Sequence, residues 1–279
     1  MQSQRRETLQ KFCQGKQGKL DQNSLPQFSA RLDYRHLLVN DKSGVLFCVL
    51  PKVASTNWKR TFLGIDEKHK NKNLATISGS NIHRMMAGPN LNDRKLRTKT
   101  ILKDFYKFMF VRHPFERLAS CYRDKFVNFD KTGKESPYYM LTYGSQILGL
   151  YRKGLSMAEI KRGFGVTFSE FARWLIEKRV KNEHWDPMFD ICHPCLINYD
   201  FIGDMSSLRK DAGEALSHIG LTDASNFEHK MSQTVIQGFK ISSRDLAKQL
   251  FSELDNKLVN DLYNMYKNDF LAFGFSKDL

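Results

Sequence analysis

The stretch Val45-Leu46-Phe47-Cys48-Val49-Leu50-Pro51-Lys52-Val53-Ala54-Ser55-Thr56-Asn57-Trp58-Lys59 decides the fold. Its first six residues are a continuous apolar run bounded by Gly44 and Pro51, which suits a strand buried on both faces. The polar residues that follow read as the turn from that strand into a helix. Such a turn aims backbone N–H groups and the positive end of the helix dipole at one point, where a phosphate or sulfate binds. Lys52 adds a mobile cation, and Ser55, Thr56 and Asn57 add hydrogen-bonding side chains. The Gly-x-x-x-x-Gly-Lys-Ser/Thr pattern is absent, and Lys52 precedes the turn rather than following it, so this is not a Walker loop. Taken alone, the stretch fits an ordinary helix cap by Ser55 or Thr56 equally well.

A second strand shifts that balance. Phe108 to Val111 is again apolar, and it runs into Arg112-His113-Pro114 and a helical pattern from Phe115 to Val127. Arg112 stands at the strand end, and Ser120 follows about two helical turns after Pro114. A guanidinium fork and a hydroxyl together hold a phosphate. Two anion sites at the ends of two parallel strands fit a nucleotide with phosphates at both ends. Tyr199 to Gly203 is a third strand candidate, and helical patterns cover Phe168 to Lys178, Ser207 to Ile219 and Leu246 to Phe273. Strands alternating with amphipathic helices predict an α/β fold with a central, mostly parallel sheet flanked by helices. Lys68 to Lys103 reads as a polar surface excursion. Residues 1–30 read as a stem with one helical pattern, Arg5 to Phe12, and residues 31–279 as a single catalytic domain.

The chain has 279 residues with 44 Lys plus Arg against 30 Asp plus Glu, a formal charge of +14. At 41% hydrophobic residues, global disorder is excluded, and 17 glycines and 5 cysteines exclude collagen-like and disulfide-scaffold classes. No apolar run reaches the ~18–20 residues of a membrane span. No signal peptide pattern is present. The charge implies a polyanionic partner: nucleic acid, acidic membrane or acidic polysaccharide. Basic clusters at 68–72, 94–99, 161–162 and 178–181 read individually as solvated faces.

Pro51 to Arg60 resembles the 5′-phosphosulfate-binding loop of Golgi carbohydrate sulfotransferases, and Val111 to Phe126 resembles their 3′-phosphate segment. The similarity is greatest to the chondroitin and dermatan 4-O-sulfotransferase group. It extends through Glu183-His184-Trp185, Ile191-Cys192-His193-Pro194-Cys195, Tyr199 to Gly203, Tyr263 and Tyr266-Lys267-x-Asp269-Phe270, and Arg5-Arg6 to Cys13 resembles the stem. Ser55 stands where many relatives have cysteine, and His113 where many have an acidic residue.

The resemblance implies a P-loop-like sulfotransferase fold and the donor 3′-phosphoadenosine-5′-phosphosulfate (PAPS), used without a metal. It implies an acidic glycosaminoglycan acceptor rather than nucleic acid, modified at the 4-hydroxyl of N-acetylgalactosamine. It further implies a Golgi lumenal enzyme whose membrane anchorage would need an N-terminal anchor not present in this sequence. Cofactor contacts are expected from Pro51, Lys52, Val53, Ala54, Ser55, Thr56, Asn57 and Trp58 at one end, and from Arg112 and Ser120 at the other. Lys52 is the expected catalytic cation. The attacking hydroxyl needs a base, with His83 the first candidate and His184 the second. Trp185 beside His184 reads equally as a sugar-stacking platform. Transfer to another position, such as a uronic acid 2-hydroxyl, or a binding module without catalysis, are the competing readings. Cys192 and Cys195 are expected in structural disulfides of an oxidising lumen, and Cys48 as a buried thiol. No Asn-x-Ser/Thr sequon is present.

Overall fold

A computed structural model describes residues 2–16, 34–65, 69, 72–86, 97–127, 137–220, 234–236 and 239–279. In chain order the first elements are α1 (Gln2–Lys16), β1 (Leu37–Asn40), β2 (Val45–Cys48), α2 (Ser55–Ile65), α3 (Gly79–Met85), α4 (Thr98–Asp104) and β3 (Tyr106–Val111). Next come α5 (Pro114–Tyr122), α6 (Ser145–Tyr151), α7 (Met157–Arg162), α8 (Phe168–Lys178), α9 (Met188–Cys192), β4 (Phe201–Asp204) and α10 (Leu208–His218). The last are β5 (Thr234–Ile236), β6 (Phe239–Ile241), α11 (Ser243–Ser252), α12 (Asn256–Met265) and α13 (Lys267–Phe273). The residues fall into two compact units, Met1–Arg112 with Asp186–Ser232 and Asn268–Phe275, and His113–Trp185 with Gln233–Lys267 and Ser276–Leu279.

The first unit is the expected α/β fold. Its sheet runs β1-β2-β3-β4, with β2, β3 and β4 parallel and β1 antiparallel at the edge. β2 is buried along its whole length, as its unbroken apolar run requires. Phe47 stacks on Phe108 at 4.6 Å between ring centroids, and Trp58 of α2 lies 4.9 Å from both Phe108 and Phe110. Gly203 sits opposite Phe110 in the register. A Cβ there would come within 2.2 Å of the Phe110 ring, so β4 approaches β3 only because that side chain is missing. β1 was not evident in the sequence, because four residues, Leu37 to Asn40, are too short to show a period.

The structure adds detail to three segments. The segment read as a stem contains α1, which packs on the core through buried Leu9 and Cys13. Its Arg5 pairs with Asp211 at 2.6 Å, and Gln2 bonds both the N–H and the carbonyl of Ile202 on β4. Residues 17–33 lie outside the described residues. The excursion after α2 holds two short helices, α3 and α4, while residues 87–96, including Arg94 and Lys95, lie outside the described residues. The pattern Leu246 to Phe273 is three helices rather than one. Asp255 accepts a bond from the Leu258 amide at 2.7 Å and caps a new start, and Tyr266 closes α12.

Cys192 and Cys195 are disulfide-bonded, each to a distant partner: Cys48–Cys192 and Cys13–Cys195. Cys48 is therefore not the buried thiol the sequence predicts; the strand places its sulfur where α9 ends. The Cys13–Cys195 bond fastens α1 across 182 residues of sequence.

The second unit is helical around an aromatic core. Tyr122, Phe126, Phe168, Phe171, Trp174 and Trp185 interlock with centroids 4.9–6.5 Å apart. Burial pushes the Tyr122 phenol up to about 12, and its hydroxyl donates to the Val166 carbonyl at 2.7 Å. Gly163 ends α7 with φ +68°, and a Cβ on it would stand 1.8 Å from the Met140 carbonyl oxygen. Glycine is obligatory there on both counts.

Replacing both Cys13 and Cys195 by serine should lower the unfolding free energy by about 2–5 kcal/mol, because a long loop regains entropy when unfolded. Urea denaturation measures this, and an unchanged midpoint would show that α1 is not fastened through the bond.

Candidate active site

The site is built on the turn between β2 and α2. Pro51 to Ala54 form the turn, and Lys52 and Ala54 both have positive φ, +69° and +62°. A non-glycine residue in this left-handed region costs ~1–2 kcal/mol. Strain of this kind persists where surrounding structure over-determines it, and it clusters at functional sites. Alternation of left-handed residues along a turn converges successive amides into a concave nest for an anion. The first bonds of α2 run from the Asn57 and Trp58 amides to the Ala54 carbonyl, at 3.0 and 3.1 Å. The nest therefore meets the N-terminal end of an 11-residue helix, with its positive dipole end.

The turn is held from two sides. Val53 and Trp58 are fully buried, and their side chains anchor the loop to the core; Val53 can offer a ligand only its backbone, and the Trp58 amide is taken by the Ala54 carbonyl. From the next strand, Arg112 reaches across and donates Nη1 to the Lys52 carbonyl at 3.1 Å. Arg112 itself is only 6% exposed, so its charge acts in a desolvated setting at the loop. Arg60, one turn further along α2, donates to the Leu74 and Ile77 carbonyls and to Asn57 Oδ1. Burial lowers its pKa from the usual guanidinium value. Arg60 thus fixes the segment leading into α3 against α2.

That segment carries His83, which is exposed on α3 after a Ser78 cap. Its Nε2 lies 3.2 Å from Thr56 Oγ1 and its Nδ1 2.9 Å from Lys59 Nζ. Pro51, Lys52, Ser55, Thr56, Asn57, Arg112 and His83 are therefore brought together in the first unit. Lys59, Arg60 and the two strained φ angles were given no role from sequence. The signal for Lys59 was present, since it follows Thr56 by three residues and shares its helix face.

Ser120 lies in the second unit, on α5, and is 7% exposed. His184 lies there too. Its Nδ1 is 3.0 Å from Asn182 Oδ1 and 2.8 Å from the Tyr139 hydroxyl, and its backbone N–H donates to the same Asn182 oxygen. An amide oxygen only accepts, so the ring proton is on Nδ1 and the lone pair on Nε2. Burial raises the Tyr139 pKa well above that of a free phenol. Trp185 is fully buried and donates Nε1 to the Val180 carbonyl at 2.7 Å, so it is a core residue and not a sugar platform.

Two left-handed residues in the turn after β2, bonded to an arginine at the end of β3, are the arrangement expected of a phosphate- or sulfate-handling enzyme. A family model described as "Sulfotransferase family" matches residues 35–276, and the chain belongs to that family. Its architecture is thus the P-loop-like sulfotransferase fold. Carbohydrate sulfotransferase 11 of Mus musculus is 31% identical over 263 residues, covering 88% of this chain and 68% of the relative. Carbohydrate sulfotransferase 14 of Danio rerio is 31% identical over 254 residues, covering 90% and 65%. Carbohydrate sulfotransferase 8 of Homo sapiens is 32% identical over 246 residues, covering 86% and 55%. No solved structure matches the chain. Among the described residues, no helix is long and apolar enough to cross a membrane.

Trp58→Ala should destabilise the first unit by about 3–5 kcal/mol, the cost of emptying a large aromatic site. Chemical denaturation measures this. A loss below 1 kcal/mol would show that the loop does not rest on the indole.

Proposed function

We propose that the protein is a PAPS-dependent carbohydrate sulfotransferase that modifies a glycosaminoglycan, at the 4-hydroxyl of N-acetylgalactosamine in chondroitin or dermatan. The observation carrying this reading is the turn with Lys52 and Ala54 in the left-handed region, its Lys52 carbonyl held by Arg112. The residues present fit the donor: a nest, a helix N-terminus, two hydroxyls and the Lys52 cation suit a phosphate bearing a sulfuryl group. PAPS supplies an activated sulfuryl group. When bound, the donor would pass its sulfuryl group to the acceptor oxygen with the 5′-phosphate as leaving group, and a base of this chain would take the hydroxyl proton.

Lys52 neutralises the charge that builds on the leaving phosphate and the sulfuryl oxygens, much as cations act in phosphoryl transfer. The backbone amides of residues 52–56 and the side chains of Ser55, Thr56 and Asn57 orient the 5′-phosphate. Arg112 and Ser120 are assigned to the 3′-phosphate. His184 is assigned as base, because Asn182 leaves the lone pair of its ring on Nε2. A second reading keeps His83 as base, which requires it to leave its Lys59 and Thr56 contacts when the acceptor binds. The +14 charge suits a polyanionic acceptor. A Golgi lumenal setting is supported by the two disulfides, which persist in oxidising compartments.

The direct experiment is transfer from radiolabelled PAPS to a panel of desulfated glycosaminoglycans, followed by disaccharide analysis. Label on the 4-position of N-acetylgalactosamine is expected, and transfer to none of them with no PAPS binding would defeat the proposal. Lys52→Ala should lower kcat by at least about a hundredfold, the scale of losing one transition-state charge contact. A folded Lys52→Ala protein with wild-type turnover would remove Lys52 from the mechanism. At saturating PAPS, His184→Ala should reduce kcat by about 10²–10⁴. The same loss in His83→Ala, with His184→Ala active, would transfer the base to His83.

A further inference from the structure

The contacts around His83 have a direction. Lys59 carries an ammonium, which only donates, so the His83 Nδ1 at 2.9 Å accepts from it. A neutral imidazole with its lone pair on Nδ1 has its proton on Nε2. That Nε2–H faces Thr56 Oγ1 at 3.2 Å, so the hydroxyl oxygen accepts. A hydroxyl has one hydrogen, and with its oxygen accepting from His83 that hydrogen is turned elsewhere. Thr56 is the second residue of α2, next to the nest formed by Lys52 and Ala54.

We infer that Lys59, His83 and Thr56 form a one-way donor chain that aims the Thr56 hydroxyl at the 5′-phosphate of the donor nucleotide. Lys59 and His83 are thereby positioning residues for donor binding. This rests on the donor-binding reading above. Local sequence supports the arrangement from both sides. Lys59 follows Thr56 by three positions on one helix, which puts both on the same face. His83 comes from α3, whose approach is fixed independently by Arg60 through the Leu74 and Ile77 carbonyls. Each link donates toward the anion, so the chain polarises the terminal O–H and brings the effect of the Lys59 charge to the phosphate.

The test is equilibrium titration of the full chain with adenosine 3′,5′-bisphosphate, with thermal melting of each variant to confirm folding. Thr56→Val, His83→Ala and Lys59→Met should each weaken binding about tenfold, the size of one hydrogen bond to a charged group. His83→Gln should bind close to wild type, because its amide oxygen accepts from Lys59 while its amide nitrogen donates to Thr56. The double variant Thr56→Val/His83→Ala should bind no more weakly than Thr56→Val alone, since the links act through one hydroxyl. Wild-type affinity in folded His83→Ala, or losses that add in the double variant, would overturn the chain while leaving donor binding intact. If the unaltered protein does not bind the nucleotide at all, the donor-binding reading fails first and the chain falls with it.

Discussion

The hydrogen bond from the Arg112 guanidinium to the Lys52 carbonyl ties the end of β3 to the turn after β2, and the geometry of the site depends on it. Two non-glycine residues of that turn occupy the left-handed region, at a combined cost of about 2–4 kcal/mol. Burial of a tryptophan-sized side chain contributes about 4–6 kcal/mol, from an area of about 150–250 Å² at about 25 cal/mol per Å². Trp58, wedged among Phe47, Phe108 and Phe110, is therefore large enough to hold the strain, and Arg112 directs it. The strained turn is held in place by Arg112 and by the aromatic core beneath it. Holding a site in this way is how an enzyme stabilises developing charge without reorganising at the moment of reaction.

The same economy of means fastens the rest of the first unit. α1 is polar enough to be mistaken for a tether, and its attachment comes from a few specific bonds rather than from a broad apolar face. Arg5 meets Asp211 at 2.6 Å, Gln2 brackets Ile202, and Cys13 is covalently joined to Cys195. Asp211 also accepts from the Asp204 amide and the Ser207 hydroxyl, so one carboxylate joins α1, β4 and α10. Buried carboxylates persist where they are satisfied in this way.

Much of this was legible in the sequence, for physical reasons that differ by element. β2 and β3 announce themselves because strands covered on both faces read as unbroken apolar runs. α8 announces itself through its strong amphipathic period and its Thr167–Glu170 capping box. The anion loop was legible as residue types, Lys52 to Asn57, but not as geometry. Nothing in Lys52 or Ala54 states that either adopts positive φ, because neither residue type favours it. Val53 and Trp58 belong to the motif and were read as ligands. Their side chains turn into the core, a choice made by the sheet beneath them. Cys48 reads as a thiol in the sequence because its partner lies 144 residues away, beyond any local pattern. The partners of His83 and the Tyr139 partner of His184 lie 24 to 45 residues away and are hidden for the same reason. Asn182 is two residues from His184 and carried no signal by itself, while Lys59 was in view on the helix face of Thr56 and was not weighed.

The central claim is that the turn between β2 and α2 receives the 5′-phosphate of the donor nucleotide. A crystal structure of the protein with adenosine 3′,5′-bisphosphate tests it most directly. The expected result is density for the 5′-phosphate within hydrogen-bonding distance of the backbone amides of residues 53–56, with Lys52 and Ala54 still at positive φ. Nucleotide density elsewhere, with the turn empty or rearranged to negative φ, would contradict it.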